Sequence, residues 1–556
     1  MQITSTRRPH GSVAAVAVLV VAVMLLAACG GDGDEVAGEA DSDQNGGSQG
    51  GDAGEPVVGG QLVYGLTEDA NGFNPISDPW SSVTYSMVGS ILEPLAAVDE
   101  DGIAQPYLAE SIEPNEDATV WTVVLREGIE FSNGEPLTAE VVQANLQAHM
   151  ESPLNATVLT RLESVEVVDD RTIVANLTEP WVSFPFYLTG QIGRPIPMTM
   201  LDNPEQASLE PIGTGAFVYD DYAPDSRFVM VRNPGYWRDG LPYLDGVEFR
   251  ILADAQTRQQ TLEAGGIDAM TTSESADIVR YQDDPGYNLY RPAGMSQSEL
   301  TFNLNTQVAP LDDVDVRRAI AHATDRQLFI DVLAEGLNEP ADGPWTEDSP
   351  WYCAAGDYPE YDLEQATALV DEYEAENGPI RITLMSVPTE SSLELAQLAQ
   401  DSWGQAGIEV EIVQADLSNL IDRALNGDYN AVIWQEYASI EPDGEFFKFH
   451  SDFAKPVGEL AINPTRISDP EIDAGFETGR TSLDIAEREE AYCMVQERLR
   501  ELVPVVFISH VSTSAVVAES TVHDIAGFEL PDGQKALPPS GSPVPSHPFT
   551  QIWVEG

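Results

Sequence analysis

The spacing of apolar and polar residues predicts strands and helices in irregular order over the first half of the chain. Alternating positions favour strands at Gln61–Leu66 and Val120–Leu125, and a hairpin is predicted at 163–177. A further pair of strands is predicted within 216–231. This half therefore mixes strands and helices without regular alternation.

The half after residue 298 shows a regular order instead. Extended and helical spacing follow each other in turn at 380–387, 390–406, 408–413, 418–425 and 429–434. A β-α-β-α-β order is typical of a parallel sheet that is covered by helices and joined by right-handed crossovers. We therefore predict an α/β body in this half.

Several helix ends can be predicted from capping residues. Thr138 is the predicted N-cap of a helix that reaches Met150. Asp362 and Gln365 have the spacing of a capping box at the start of another helix. The segment 483–502 has the pattern of a long amphipathic helix.

The N-terminus has the pattern of a secretory signal. Arg7 and Arg8 precede an apolar run at 13–28, which is shorter than the roughly 20 residues that span a membrane. The run ends in Leu26-Ala-Ala-Cys29, which resembles the lipobox of bacterial lipoproteins. This resemblance implies that 1–28 is removed and that a lipid on Cys29 anchors the protein to the outer face of the cytoplasmic membrane. The alternative is an ordinary secretory signal with an incidental cysteine.

The amino-acid composition indicates a linker between the anchor and the folded body, and it argues against one class of partner. Residues 29–58 are rich in Gly, Asp, Glu and Ser and predict a flexible acidic tether. The whole chain has 93 acidic residues against 26 Lys and Arg, for a net charge of −67, which argues against nucleic acid as a partner. Such acidity is typical of a solvated, self-repelling surface, and a saline habitat or attraction of cationic solutes is the other interpretation.

Two cysteines remain in the folded body, at Cys353 and Cys493. In an oxidising compartment a pair of thiols is more often joined than free. We therefore predict a disulfide between them, with two free thiols as the alternative.

Sequence blocks spread over nearly the whole mature chain resemble solute-binding protein family 5, the dipeptide-, oligopeptide- and nickel-binding proteins of ABC importers. The first block is the segment 108–134, which contains Trp121, Arg126-Glu-Gly128 and Phe131-Ser-Asn-Gly134. The later blocks are Pro136-Leu-Thr-Ala-Glu140, Pro211-Ile-Gly-Thr-Gly215, Arg232-Asn-Pro-Gly-Tyr-Trp237, Leu241-Pro-Tyr-Leu-Asp245, Phe302-Asn303, Val316-Arg-Arg-Ala319, Asp325-Arg326 and Gly407-Ile-Glu-Val410.

The resemblance implies an α/β fold of two lobes, a large periplasmic-binding-protein-like clamp of the cluster C type, whose first lobe is discontinuous in sequence. We expect lobe I with an inserted subdomain at 59–297, lobe II at 298–508, and a return to lobe I with a C-terminal tail at 509–556. The hinge crossings are expected near 299–303 and 507–511.

The chain departs from its peptide-binding relatives after Trp434. Those relatives carry an aspartate a few residues on, which pairs with the free ammonium of the ligand. Here Tyr437 or Ala438 occupies the matching place, and the later acids Glu441 and Asp443 are shifted by about one residue. We therefore expect a solute other than an ordinary free-amino dipeptide, or a longer peptide held mainly by its backbone.

The expected solute site lies between the lobes and is lined by aromatic residues and by the segment after Trp434, because buried aromatics with few polar groups suit small solutes. The predicted ligand-binding residues are Phe73, Trp80, Trp345, Trp351, Trp434, Glu436, Tyr437 and Glu441. Core packing is the alternative for the tryptophans, and an exposed acid at a strand end is the alternative for Glu436.

The sequence lacks the motifs that are typical of hydrolases, zinc enzymes and nucleotide-binding proteins. It contains no G-x-S-x-G elbow, no H-E-x-x-H pair and no phosphate-binding loop, and its seven histidines are scattered. We therefore predict no enzyme, no catalytic residue, no cofactor and no metal, with a hydrolase as the remote alternative. The expected partners of this monomer are a small or peptide solute and ABC permease subunits, and a sensory or docking role is the open alternative.

Overall fold

The computed structural model describes residues 55–291, 298–437, 439–511, 515–525, 529–537 and 549–555. The predicted signal, Cys29 and almost all of the predicted tether lie outside these residues. The described part forms two α/β lobes, each built on its own sheet.

The first part of the chain mixes short helices with strands, as its sequence pattern predicts. Its elements are β1 (Gln61–Leu66), α1 (Ser82–Val88), β2 (Ala96–Val98), β3 (Ala104–Pro106), β4 (Ala109–Pro114), β5 (Val120–Leu125), α2 (Ala139–Glu151), β6 (Leu162–Asp169), β7 (Thr172–Leu177), α3 (Phe184–Tyr187), α4 (Met198–Leu201), α5 (Pro204–Ala207), β8 (Phe217–Ala223), β9 (Arg227–Arg232), β10 (Gly246–Ile251), α6 (Ala255–Glu263), β11 (Ala269–Thr272), α7 (Ser275–Tyr281) and β12 (Tyr287–Tyr290).

The second part contains the longer helices. Its elements are β13 (Ser298–Leu304), α8 (Val314–His322), α9 (Arg326–Ala334), β14 (Glu339–Pro340), α10 (Leu363–Asn377), β15 (Arg381–Ser386), α11 (Glu390–Gln405), β16 (Glu409–Gln414), α12 (Leu417–Asn426), β17 (Ala431–Tyr437), α13 (Phe446–Phe449), α14 (Pro470–Thr481), α15 (Ile485–Leu502), β18 (Val505–Val511), β19 (Ala515–Glu519), β20 (Val522–His523) and β21 (Trp553–Val554). Single 3-10 turns lie at Gln191–Gly193, Pro442–Glu445 and Ser451–Phe453.

Lobe I is built on a seven-stranded sheet in the order β12-β19-β11-β1-β10-β9-β8. β1 lies in its middle and runs parallel to both β10 and β11. β19 comes from the C-terminal part of the chain and pairs with β11 and β12, so the first lobe is discontinuous in sequence. The side chains that fill its core include Leu62, Phe73 and Phe249.

A separate four-stranded antiparallel sheet, β4-β5-β7-β6, is inserted into lobe I. We call residues 95–192, which contain this sheet with α2 and α3, the insertion. Its core packs Trp121, Leu146 and Trp181 between the sheet and α2. The alternating burial of β5 and β7 gives the sheet one apolar face, which explains why it needs a helix on that side.

Lobe II is built on a six-stranded sheet in the order β14-β18-β13-β17-β15-β16. β15 runs parallel to β16 and β17, and α11 and α12 connect these strands, which confirms the predicted β-α-β-α-β unit. β13 is antiparallel to β17 and β18. The core between the sheet and the helices contains Trp403, Phe302 and Ile320.

The chain crosses between the lobes a few residues away from the expected hinge positions. β12 belongs to the first sheet and β13 to the second, so one crossing lies between these strands, and the other lies between β18 and β19. The expected positions 299–303 and 507–511 are instead paired strand residues of lobe II. The expected lobe boundary after residue 508 therefore falls inside β18. Ladder hydrogen bonds hold the backbone there, which makes those residues poor hinge points.

The capping predictions hold in one helix and are half right in another. The Thr138 side chain accepts a hydrogen bond from the Val141 N–H and begins α2. Asp362 accepts from the Gln365 N–H as predicted, but its own N–H donates to the His322 carbonyl instead of to the Gln365 side chain. The capping box is therefore replaced by a single cap, because tertiary contact already satisfies the second donor.

The carboxyl group of Glu93 joins the insertion to lobe I. It accepts hydrogen bonds from the Tyr107 hydroxyl of the insertion at 3.1 Å and from the Tyr236 hydroxyl and Trp237 indole of lobe I at 2.7 and 2.8 Å. Thr214 donates to the same group at 3.2 Å. Burial raises the pKa of Glu93, although the hydrogen bonds from these four donors lower it. The buried acid Glu93 is thus one of the points at which the insertion is fixed to lobe I.

We expect acid to destabilise the protein through His149. This side chain is fully buried in α2, its Nδ1 lies 2.8 Å from the Asn155 amide, and burial lowers its pKa from 6.5 to about 4. Between about pH 6.5 and pH 4 the unfolded chain therefore binds a proton at His149 and the folded chain does not. The free energy of unfolding should fall over this interval by up to about 3 kcal/mol.

Urea unfolding at pH 7 and pH 4 tests this expectation. The His149→Gln variant should lose less stability than the wild type over this interval, while His322→Gln, which removes a partly exposed histidine, should follow the wild type. Parallel losses in the wild type and the His149→Gln variant would contradict the assignment.

Candidate functional site

The two lobes meet at the segment that follows β17. The carboxylate of Asp443, in the 3-10 turn of this segment, is fully buried. Its Oδ2 accepts a hydrogen bond from the Trp181 indole at 2.7 Å and from the Tyr187 hydroxyl at 2.9 Å. Both donors belong to the insertion, so Asp443 of lobe II is held by side chains of the opposite lobe.

Lobe II provides the balancing charge. The Arg480 Nε on α14 lies 2.5 Å from the Asp443 Oδ1, and the guanidinium stacks 3.7 Å from the ring centre of Phe446. The Arg480 carbonyl also accepts a hydrogen bond from the Val182 N–H of the insertion at 2.8 Å. A buried carboxylate needs such a partner, because an unpaired charge in the interior is costly.

The charge of Asp443 also affects its neighbour in the insertion. Burial, and then the negative charge of Asp443, raise the pKa of Tyr187 well above its usual value. The Tyr187 hydroxyl therefore stays protonated at neutral pH and can donate to the carboxylate.

Glu441 forms a second polar contact between the lobes. Its Oε1 accepts a hydrogen bond from the Ser183 hydroxyl of the insertion at 2.9 Å and pairs with the Arg488 Nη2 at 2.5 Å. Burial lowers the pKa of Arg488, but the charges and hydrogen bonds of Glu441 and Tyr492 together raise it above its usual value. The guanidinium of Arg488 lies 4.6 Å from the Trp351 ring centre, so this contact reaches one of the predicted site residues.

A third contact lies at the edge of the first two. The Arg161 Nη2 of the insertion donates to the Glu477 Oε2 of α14 at 2.8 Å. Because the Glu477 side chain is partly exposed, this ion pair contributes little beside the buried contacts. We call the contacts of Trp181, Ser183 and Tyr187 with Glu441 and Asp443 the interlobe contact.

Three of the predicted tryptophans lie in lobe II. Trp345 and Trp351 pack edge-on against Tyr492, with ring centres 5.9 and 5.4 Å away. Trp434 lies on β17 in a neighbouring cluster with Met385. Within the described part of the chain, the indole N–H groups of all three are buried without a hydrogen-bond partner. Their contact with a solute stays a prediction.

The predicted residues of lobe I lie in its core. Phe73 is fully buried and packs against Phe228 and Tyr222, and Trp80 packs edge-on against Tyr85 at 5.2 Å. These contacts fit the packing alternative, although the Trp80 indole N–H, like those in lobe II, has no partner among the described residues. The structure therefore does not bring Phe73 into the group around Trp434.

The end of β17 is described only in part. Glu436 and Tyr437 are strand residues that pair with Glu299 and Ser298 of β13, but their side chains lie outside the described residues, as does Ala438. The predicted roles of Glu436 and Tyr437 stay predictions. Glu441, by contrast, is placed in the interlobe contact with its Oε1 already engaged.

A disulfide joins Cys353 to Cys493 in the structure, with their Cα atoms 5.2 Å apart. Cys353 follows Trp351 in a loop, and Cys493 follows Tyr492 on α15. The disulfide therefore attaches the loop that carries Trp351 to the helix that carries Arg488.

A wide groove opens on lobe II but is not the space between the lobes. Its volume is about 1390 Å³, and its walls include Arg318, Trp345, Glu497 and His510. All the residues that line it belong to lobe II, so closure of the two lobes cannot enclose a solute there.

The described residues lack the features of two other kinds of site. Among these residues, acids, histidines and cysteines do not cluster in the way that would hold a metal ion. The same part of the chain has no helix with the length and apolar character of a membrane span.

The sequence alone did not identify the insertion residues Trp181, Ser183 and Tyr187, or the arginines that balance the two acids. One signal was available: in a chain with only 26 Lys and Arg, an arginine beside apolar positions of a helix is a candidate for a buried ion pair, as Arg480 is on α14. The insertion residues carried no comparable signal, since a tryptophan after a strand is usually core.

Comparison with known proteins gives relatives along almost the whole chain. The dipeptide-binding protein of Escherichia coli is 26% identical over 534 residues, which cover 89% of this chain and 94% of that protein. The nickel-binding periplasmic protein of Escherichia coli is 26% identical over 456 residues, which cover 77% of this chain and 84% of the relative.

Solved structures have the same fold. The structure of NikA from Brucella suis in complex with Fe(III)-EDTA has a TM-score of 0.75 and 24% identity, and the match covers 89% of this chain and all of that one. The family model described as bacterial extracellular solute-binding proteins, family 5 matches residues 104–454, well over half of the chain. The protein therefore belongs to the family 5 bacterial extracellular solute-binding proteins.

Proposed function

We propose that this protein captures a small solute between its two lobes outside the cytoplasmic membrane and delivers it to the permease of an ABC importer. The observation that carries the proposal is the interlobe contact, in which Trp181 and Tyr187 of one lobe reach the buried carboxylate of Asp443 in the other. A cleft between two lobes encloses a solute when the lobes close. The names of the relatives, which describe proteins that bind a dipeptide and nickel, support the same class of function.

We further propose that the solute is not an ordinary free-amino dipeptide. The acids that follow the place of the ammonium-pairing aspartate are Glu441 and Asp443, and each is already paired with an arginine of lobe II. Tyr437 or Ala438 occupies the place itself. A solute without a free ammonium, or a longer peptide held mainly by its backbone, suits this arrangement.

Mass spectrometry of the compound that co-purifies with the native protein, followed by calorimetry with that compound and a set of dipeptides, tests both statements. We expect micromolar or tighter binding of the recovered compound, and small-angle scattering should show a smaller radius of gyration when it is bound. Tight binding of ordinary dipeptides would contradict the solute class. An unchanged radius at saturation would contradict capture by closure.

We propose that a lipid on Cys29 anchors the protein, with 29–58 as the tether. The Cys29→Ser variant should fold and bind as the wild type does but should leave the membrane fraction, because the anchor is separated from the folded body. Fractionation followed by immunoblotting measures this. A variant that stays in the membrane fraction would exclude the lipid as the anchor.

A further inference from the structure

The interlobe contact combines buried charge with donors from the opposite lobe. Lobe II supplies both carboxylates and both arginines, whereas the insertion supplies only neutral donors from Trp181, Ser183 and Tyr187. The charges are therefore balanced inside lobe II whether or not the insertion is present. What the insertion adds is a set of hydrogen bonds to carboxylates, which are stronger than those between neutral groups.

The insertion is fixed to lobe I, so these hydrogen bonds are contacts between lobe I and lobe II, the two bodies whose relative motion the proposed capture requires. The Ser152 hydroxyl donates to the Ile76 carbonyl of lobe I at 2.6 Å, and the Gln191 amide donates to the Pro75 carbonyl at 2.7 Å. The group around Glu93 adds a third attachment. By contrast, within the described residues the insertion reaches lobe II through side chains and through one backbone amide, that of Val182.

Opening of the lobes would separate the donors of the interlobe contact from their acceptors, but it would leave neither Glu441 nor Asp443 without its arginine. Asp443 would keep Arg480, and Glu441 would keep Arg488, since both pairs lie within lobe II. The donors of the insertion would then bond to water. The interlobe contact can therefore form and break repeatedly, and each hydrogen bond shifts the equilibrium towards the closed form by a moderate amount.

We propose that the interlobe contact is a latch that holds the insertion on lobe II and sets the population of the closed form, so that Glu441 and Asp443 act on solute affinity through closure and not through contact with the solute. This inference rests on the proposed capture of a solute by closure. Since the apparent affinity of a clamp scales with the population of its binding-competent form, a weaker latch lowers affinity for every solute by the same factor.

The variant Ser183→Ala/Tyr187→Phe tests the latch in the solute-free protein. It removes two hydroxyl donors to the carboxylates and leaves the charges and the shape of the interface nearly unchanged. The Val182 N–H, which donates to the Arg480 carbonyl across the interface, reports directly on opening by hydrogen–deuterium exchange. We expect exchange at Val182 to be about tenfold faster in this variant, because two hydrogen bonds are lost.

Two references separate opening from general loosening. The Tyr64→Phe variant also removes a buried tyrosine hydroxyl, but its partner Thr271 lies in lobe I itself, so exchange at Val182 should not change. Exchange at Val123, inside β5 of the insertion, should be equal in all variants. A Val182 amide that is unprotected in the wild type, or equally protected in the wild type and the double variant, would overturn the latch.

Calorimetry then separates the latch from solute recognition. With the compound recovered from the native protein as the probe, the double variant should lose affinity by the same factor by which its closed population falls, and the order of preference among close analogues of that compound should be the same as in the wild type. A changed order would mean that these residues touch the solute and would overturn the proposal. If no compound binds any variant, the proposed capture fails, while the exchange experiment still decides whether the lobes are latched.

Discussion

Replacing Asp443 by alanine is expected to lower the free energy of unfolding by about 3 to 5 kcal/mol. The variant leaves the guanidinium of Arg480 buried beside Phe446 without its carboxylate. It also removes the acceptor of the Trp181 indole and of the Tyr187 hydroxyl. A buried charge without a partner is costly, and this loss should exceed that of any single interlobe hydrogen bond.

Urea unfolding followed by tryptophan fluorescence measures this effect. The matched control is Asp245→Ala, which breaks the ion pair of Arg232 with an aspartate whose side chain is 68% exposed and should cost less than about 1 kcal/mol. The double variant Asp443→Leu/Arg480→Met should recover at least half of the loss, because no charge then remains buried alone. Equal losses for Asp443→Ala and Asp245→Ala would refute the assignment of Asp443 as a buried, paired acid.

Loss of the disulfide should have an effect of similar size. Cys353 and Cys493 are separated by 140 residues, so the bond restricts a large part of the unfolded chain. On the chain-entropy model this restriction is worth up to about 5 kcal/mol. The variant Cys353→Ser/Cys493→Ser should unfold at a lower urea concentration than the wild type, by an amount that a reducing agent reproduces in the wild type.

The same double-serine variant is its own control, since a reducing agent should not change its unfolding midpoint. Alkylation of the unfolded protein before and after reduction, read by mass, counts the thiols that become accessible. If Cys353 and Cys493 are both alkylated without reduction, the bond does not exist in solution, and the expected loss of stability has no cause.

Many of the secondary-structure elements could be predicted from the sequence because they depend on local physics. The alternation of apolar residues in Gln61–Leu66 and Val120–Leu125 gave both strands at their observed bounds. The strand and helix order at 380–434 predicted parallel pairing, because right-handed crossovers leave few other arrangements. The predicted hinge positions were less accurate. The spacing of apolar residues does not show that β18 continues to Val511, so the end of this strand could not be predicted from the sequence.

The family and two-lobed fold could also be predicted from the sequence, since the blocks that carry the resemblance extend along most of the chain. The group around Glu93 shows what two of these blocks do physically. Thr214 lies in one block and Trp237 in another, and both donate to the same buried carboxyl group. Each block is recognised within a short segment of sequence, but the contact of Thr214 and Trp237 with the same carboxyl group depends on the fold.

The sequence by itself determined the type and order of most elements, the family, and the departure after Trp434, because periodicity, caps and motif residues are read within short segments. Only the tertiary structure decided which side chains share the interlobe contact. Trp181 and Asp443 are 262 residues apart, and no local pattern relates them. Their pairing depends on how the insertion sits on lobe I and how lobe II closes against it. Long-range packing of this kind determines which acids are buried and paired.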